Sequence, residues 1–147
     1  MNNLDRNWNN LFGKYATDET AWYGLWTAYS SNQEVSQSKR VIRSFQSNLD
    51  NTIITHTSRY IDAQDNVVDE KAWQIDRETC NRPDGVVHPA MPWMRSLSLG
   101  ATATAWISPR FIPGKPFGVE LFFREDDQRS CMEKTVNSIE LCIFENI

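Results

Sequence analysis

The chain has 147 residues, the length of one domain, and at that size folding buries roughly 70% of the unfolded surface without help from a disulfide or metal. Fifteen basic residues stand against 19 acidic ones, a net charge of −4, which excludes a generally basic nucleic-acid binder, though not a local basic patch. No apolar run approaches the ~20 residues of a membrane span, and the start, Met1 to Arg6, lacks the basic and apolar regions of a secretory signal, so a cytoplasmic location is expected.

In chain order, Leu4, Trp8, Leu11 and Phe12 recur at helical spacing and predict a short amphipathic helix, with Gly13 as its stop. Thr17 to Thr20 form a polar link. From Ala21 onward, short runs rich in Trp, Tyr, Val, Ile, Thr and Phe alternate with Asn, Asp, Gly, Ser and Pro clusters. Strands are predicted near residues 22–30, 35–47, 52–61, 69–77, 94–107, 117–124, 129–136 and 138–145, with a weaker segment around 85–91. Asn48 to Asn51 and Glu125 to Gln128 hold residues that bond their own backbone in turns, and Asn137-Ser138 suits a tight hairpin. Pro109, Pro113, Gly114 and Pro116 make 108–116 a shaped loop.

One helix followed by eight or nine short antiparallel strands predicts an all-β fold, a sandwich or closed barrel. The barrel is favoured because closure removes exposed edges. Residues 1–147 then form a single domain, with 1–20 as helical entry and 21–147 as barrel. Cys80, Cys131 and Cys142 are odd in number and have no metal-ligand spacing, so free thiols and no metal are expected.

Trp22-Tyr23-Gly24-Leu25-Trp26 carries a Gly-x-Trp at the start of the first strand and resembles the lipocalin signature. Phe45-Gln-Ser-Asn48, His56-Thr-Ser-Arg-Tyr60, Glu70-Lys-Ala-Trp73, Asp84 to Ala90, Met94-Arg95 and Phe117 to Arg124 follow in order. Together, from about Trp8 to Met132, the chain resembles a calycin-like family of unknown function from cyanobacteria and related phototrophs. The resemblance implies a lipocalin-like β-barrel of eight to nine strands with an N-terminal α-helix. Many members carry a second similar domain, so a homodimer is the expected substitute for its covering.

Strand alternation proposes what faces the interior. With Trp26 inward, Trp22 and Gly24 point in while Tyr23, Leu25 and Tyr29 form an outer apolar stripe. Ile54, His56, Ser58 and Tyr60 share one face, mixing apolar bodies with polar atoms as a ligand pocket does. His88, held between Asp84-Gly85 and the prolines Pro89 and Pro92, is aimed by a rigid segment. Along Gly118 to Arg124, transfer energy favours Val119, Leu121 and Phe123 inward with Glu120 and Arg124 solvated. The alternative turns Glu120 and Arg124 into a polar cavity, as acid/base and anion anchor. Gly100 to Ala105 is a strand nearly free of large side chains, which leaves room for a ligand or for the helix.

The leading expectation is a barrel that takes a small apolar or aromatic ligand, lined by Trp26, Trp73, Trp106 and Phe122, with His56, Tyr60 and His88 as polar contacts. The alternatives are a cyclase- or isomerase-type enzyme and an interaction protein. The enzyme would use His88 as base, Glu120 as acid/base partner and Arg124 or Tyr60 as electrostatic stabiliser. Neither a metal nor another cofactor is expected, because no phosphate loop, metal-spaced histidines or nucleophile elbow is present.

Overall fold

The structure is a computed structural model that describes residues 2–13, 16, 21–30, 32–125, 128–135 and 139–146, without the side chains of 128, 132–135 and 139–146. The N-terminal segment forms α1 (Asn3–Trp8), capped by the Asn2 side chain accepting from Asp5 N–H, and runs into a wider π-turn over Asn9–Gly13. Trp8, Leu11 and Phe12 are all buried, as the helical spacing predicts.

The strands are β1 (Ala21–Tyr29), β2 (Val35–Ser47), β3 (Ile53–Ile61), β4 (Val67–Asp76), β5 (Asn81–Arg82), β6 (Gly85–His88), β7 (Met91–Ser98), β8 (Ala103–Ile107), β9 (Gly118–Glu125), β10 (Gln128–Thr135) and β11 (Ile139–Asn146); a four-residue helix, α2 (Arg77–Cys80), joins β4 to β5. All pair antiparallel in one ladder of order β4-β3-β2-β1-β11-β10-β9-β8-β7-β6-β5. The chain thus meanders up and down, and its last strand returns to pair with its first. Among the described residues only the β4-to-β5 step lacks strand pairing.

The expected closed barrel of eight or nine strands is therefore not what the ladder shows. The reason is local. At Asp76 the chain leaves β4 into α2, whose first amides, Glu78 N–H and Thr79 N–H, are taken by the Asp76 carboxylate. Strand β5 then spans two residues, too few to carry a seam. Both ends of the ladder are blunted: β4 by the exposed Asp69, Glu70 and Lys71, β5 by its shortness. The sheet nevertheless rolls, since His56 and Trp73 on β3 and β4 bring their rings within 5.0 and 5.1 Å of His88 on β6.

Two further expectations change. The single strand predicted over 94–107 is a hairpin, β7 and β8, with Leu99 N–H donating to Ala103 O at 2.8 Å and Gly100 at φ +88°. Gly100, Ala101 and Thr102 thus serve a turn, so the small-residue strand is reduced to Ala103 to Ala105. The weak segment over 85–91 is β6 followed by a turn at Pro89-Ala90. Gly85 has φ +125°, and a Cβ there would meet Arg95 Cβ, Leu97 Cδ2 and Ser96 O at 3.0 Å, so both conformation and space demand glycine.

The Asn48–Asn51 turn forms as predicted, with Asn48 Oδ1 accepting from Thr52 N–H and Ile53 N–H. The polar link Thr17–Thr20, the centre of the Glu125–Gln128 turn and Asn137-Ser138 lie outside the described residues. Cys80 is a free, buried thiol, whereas Cys131 is disulfide-bonded, which corrects the expectation of free thiols. Cys142 stands opposite it in the β10–β11 register.

The core has two parts. Trp8, Leu11, Phe12 and Ala16 pack on Ile54, Ile75, Cys80 and Val86, so α1 and its π-turn plug one end of the rolled sheet. Trp22, Val41 and Cys131 form a second cluster with Trp26, Tyr60 and Phe122 against it. Between the two lies a cavity.

Candidate functional site

The cavity has a volume of about 570 Å³, within the range of small-molecule sites. Every sequence-predicted residue lines it: His88, Glu120 and Arg124, and also Trp26, His56, Tyr60, Trp73, Trp106 and Phe122. Strand alternation puts them there. On β1, Trp22 is buried and lines the cavity with Trp26, while Tyr23 and Leu25 are 37% and 48% exposed outside. On β3, Ile54, His56 and Ser58 are buried, and His56, Ser58 and Tyr60 reach the cavity wall.

On β9 the favoured orientation is reversed. Glu120 and Arg124 are 1% and 7% exposed, Phe122 lines the cavity with them, and Phe123 is 55% exposed outside. Transfer energy argues against burying charge only when that charge lacks compensation. Here Arg124 donates to Leu11 O at 3.2 Å and Asn10 O at 3.0 Å, tying the carboxyl end of the N-terminal plug to β9. Glu120 lies 4.0 Å from Arg43. Arg124 is thus in part a structural clasp, which the anion-anchor expectation did not foresee.

The two histidines form one hydrogen-bonded unit. Ala90 N–H donates to His88 Nδ1 at 3.1 Å, which fixes that nitrogen as an acceptor and leaves the His88 proton on Nε2. His88 Nε2–H then donates to His56 Nδ1 at 2.8 Å, so the His56 proton sits on Nε2, 3.3 Å from Ser58 Oγ. Aromatic faces hold the pair: Phe45 stacks on His56 at 4.3 Å and 11°, with Trp73 5.1 Å from each imidazole. Burial pushes His56 well below the ordinary imidazole range, aided by Arg43, His88 and Arg129. Burial and Arg43 bring His88 to about 4. Both are neutral at pH 7.

Sequence reasoning missed the arginines on the other strands. Arg43 on β2 lies 4.4 Å from the Trp26 ring centre. Arg129 on β10 lies 4.3 Å from that of Phe122, with Trp22 and Phe45 at 5.8 and 5.9 Å. Desolvation, with Arg43 and Arg124 nearby, lowers Arg129 to about 9 even though Glu120 opposes the shift. Their signal was available: each has an inward aromatic as its register partner or two positions away, Trp22 opposite Arg43 and Cys131-Phe122 beside Arg129. Among the described residues no group of His, Cys, Asp and Glu is arranged to hold a metal.

In relation to known proteins, a comparison with curated sequences finds no match. A crystal structure of a protein of unknown function from the DUF3598 family of Nostoc punctiforme is similar, with a TM-score of 0.67 at 12% identity. The likeness covers 95% of this chain and 46% of that one, so the chain spans less than half the length of its structural neighbour. That similarity speaks to the fold. Residues 4–135 match the N-terminal domain described as a domain of unknown function (DUF3598), and with nine-tenths of the sequence inside that match the chain belongs to the DUF3598 family.

Proposed function

We propose that the chain is a lipocalin-like binding module that takes a small, largely aromatic or apolar molecule into its interior cavity. The observation that carries this reading is the cavity itself, about 570 Å³, walled by Trp22, Trp26, Phe45, Trp73, Trp106 and Phe122. A ligand of drug-like size fits such a volume and would be oriented by a few polar groups among apolar walls. The rolled meander with a helix plugging one end supports the lipocalin-like relation, with the cavity as the counterpart of a lipocalin's calyx.

The acid/base alternative finds less support. A histidine near pKa 4, with Nδ1 engaged by Ala90, is a weak base at pH 7, and its one N–H is already given to His56. Neutral, tautomer-locked imidazoles suit recognition better. The proposed partner on the outer face is a second copy of the chain covering Tyr23 and Leu25, and sedimentation velocity reads it as a dimer. No helix among the described residues is long and apolar enough to cross a membrane, and the cytoplasm is the proposed location.

Native mass spectrometry after incubation in a cyanobacterial extract tests the binding reading. A retained mass on the folded protein, lost on denaturation, is the expected result. A bare protein mass together with chemical turnover in the extract would overturn it in favour of the enzyme.

A further inference from the structure

The loop between β8 and β9, residues 108–117, takes no part in either core cluster or in the cavity wall. It carries Arg110 and Lys115 and no acidic residue, in a chain whose net charge is −4. Phe111 is 68% exposed and Phe117 40%, with their ring centres 6.1 Å apart in an edge-on pair. Two aromatic rings held this far out of the surface and flanked by cations mark a docking site.

The loop is held in one shape. Lys115 N–H donates to Ile112 O at 3.1 Å across Pro113-Gly114, and Gly114, at φ +76°, completes a type II turn that calls for glycine there. At the base, Ser108 N–H donates to Gly118 O at 3.0 Å, and Gly118 N–H donates to Ser108 Oγ at 3.2 Å. Pro109, Pro113 and Pro116 fix φ at three positions, so docking orders little that is not already ordered. The N-terminal plug is tied to β7 through Asn7 and Ser98, and to β9 through Arg124. The loop joins the opposite ends of β8 and β9, on the strands that supply Trp106 and Glu120 to the cavity wall. It therefore stands at the end of the cavity away from the plug.

We infer that this loop is a lipid-surface anchor: Phe111 and Phe117 enter the headgroup boundary of an anionic bilayer, Arg110 and Lys115 meet its phosphates, and the unplugged end of the cavity is brought to the membrane. Charge points to the anionic surface. The acids around the β3–β4 turn are matched locally, Asp65 by Arg40, Asp69 by Lys71 and Glu70 by Arg59. Arg110 and Lys115 make no ion pair among the described residues, and Lys115 only lies over Trp93, 4.9 Å from its ring centre. Glu34, and by register Glu133 and Glu140, place further acid on other segments of that end, so the bilayer is met by the loop and not by the whole rim. Size points away from a stable protein interface, to which each partner contributes roughly 20–30 residues, many more than this loop holds.

Co-sedimentation of the intact chain at pH 7 with large vesicles tests the anchor, using phosphatidylcholine alone or mixed in equal parts with phosphatidylglycerol. Partitioning onto the mixed vesicles is expected to be at least about tenfold stronger, since each cation near such a surface contributes about fivefold, and to fall with added salt. Arg110→Gln and Lys115→Gln should each lower it about fivefold, and Phe111→Ser about tenfold. Leu99→Ser removes an apolar side chain of similar exposure, 59%, from the hairpin at the plugged end and should leave binding unchanged. Equal partitioning of the unmodified chain onto the two vesicle types overturns the anchor, as does a loss from Leu99→Ser equal to that from Phe111→Ser. A dimer in sedimentation velocity that Phe111→Ser dissociates also overturns it, by giving the loop to a second copy. No ligand enters the measurement, so its outcome is independent of the binding reading above.

Discussion

The two ends of the rolled sheet are built on the same ladder and behave differently. At the plugged end, inward positions carry Ile54, Ile75 and Val86, and Trp8, Leu11 and Phe12 fill the space between them to full burial. In the middle and toward the other end, the same inward face of the sheet carries His56, Arg43, Glu120, Arg129 and Trp26, and the space stays open. One face of one sheet is thus core along part of its length and binding wall along the rest. What separates them is the N-terminal segment: where it reaches, apolar burial stabilises the fold, and beyond it the strands set polar and charged groups around an open space.

The largest test of that contrast is removal of the plug. Trp8 is fully buried and its indole N–H donates to Asn51 O at 3.1 Å; Trp8→Ala should destabilise by about 3–5 kcal/mol, read by urea unfolding. A loss under 1 kcal/mol would mean that the plugged end is not the stability core. On the charged side, Glu120→Gln removes the only described carboxylate among the cavity arginines and should cost about 3 kcal/mol.

The pH dependence sharpens the comparison further. His56 and His88 have folded-state pKa values below the ordinary 6.5, His88 at about 4. Between these limits the unfolded chain binds more protons than the folded one. Stability is therefore intact above pH 6.5 and lost as the pH falls toward 4, by about 3 kcal/mol from His88 at 1.36 kcal/mol per pH unit. His88→Gln should flatten that slope, measured as unfolding free energy from pH 7.5 to 4. An unchanged slope would place the titration in the carboxylates. The smallest effect belongs to the plain turn at the plugged end: Asn48→Ala loses two side-chain bonds to Thr52 and Ile53 amides and should cost about 1 kcal/mol by the same unfolding assay.

Much of the site was legible because a strand has a strict period of two. Once Trp26 is placed inward, Trp22 follows on β1, and Ile54, His56, Ser58 and Tyr60 fall on one face of β3; nothing beyond alternation is required. Alternation does not say which face wins where both are plausible. On β9, Val119, Leu121 and Phe123 made the better core on transfer energy alone, and the outcome was reversed by partners distant in sequence: the Asn10 and Leu11 carbonyls and the guanidinium of Arg43. The hairpin at Leu99–Thr102 was hidden because Ala and Thr read as strand, and only the positive φ of Gly100 and the Leu99–Ala103 bond reveal the reversal.

The sequence by itself determined the N-terminal helix, most of the strand positions, the Asn48 turn, the proline-shaped loop and the antiparallel class, because these rest on local periodicity and backbone preference. Tertiary structure alone decided three things. It left the β4-to-β5 seam unpaired, since that depends on where α2 delivers the chain. It chose which face of β9 is buried, since a charge is tolerated inside only where other segments bring its partners. It joined His56 to His88, 32 residues apart, into one neutral unit. Each is a long-range contact whose energy appears only after the sheet has rolled, which no reading along the chain contains.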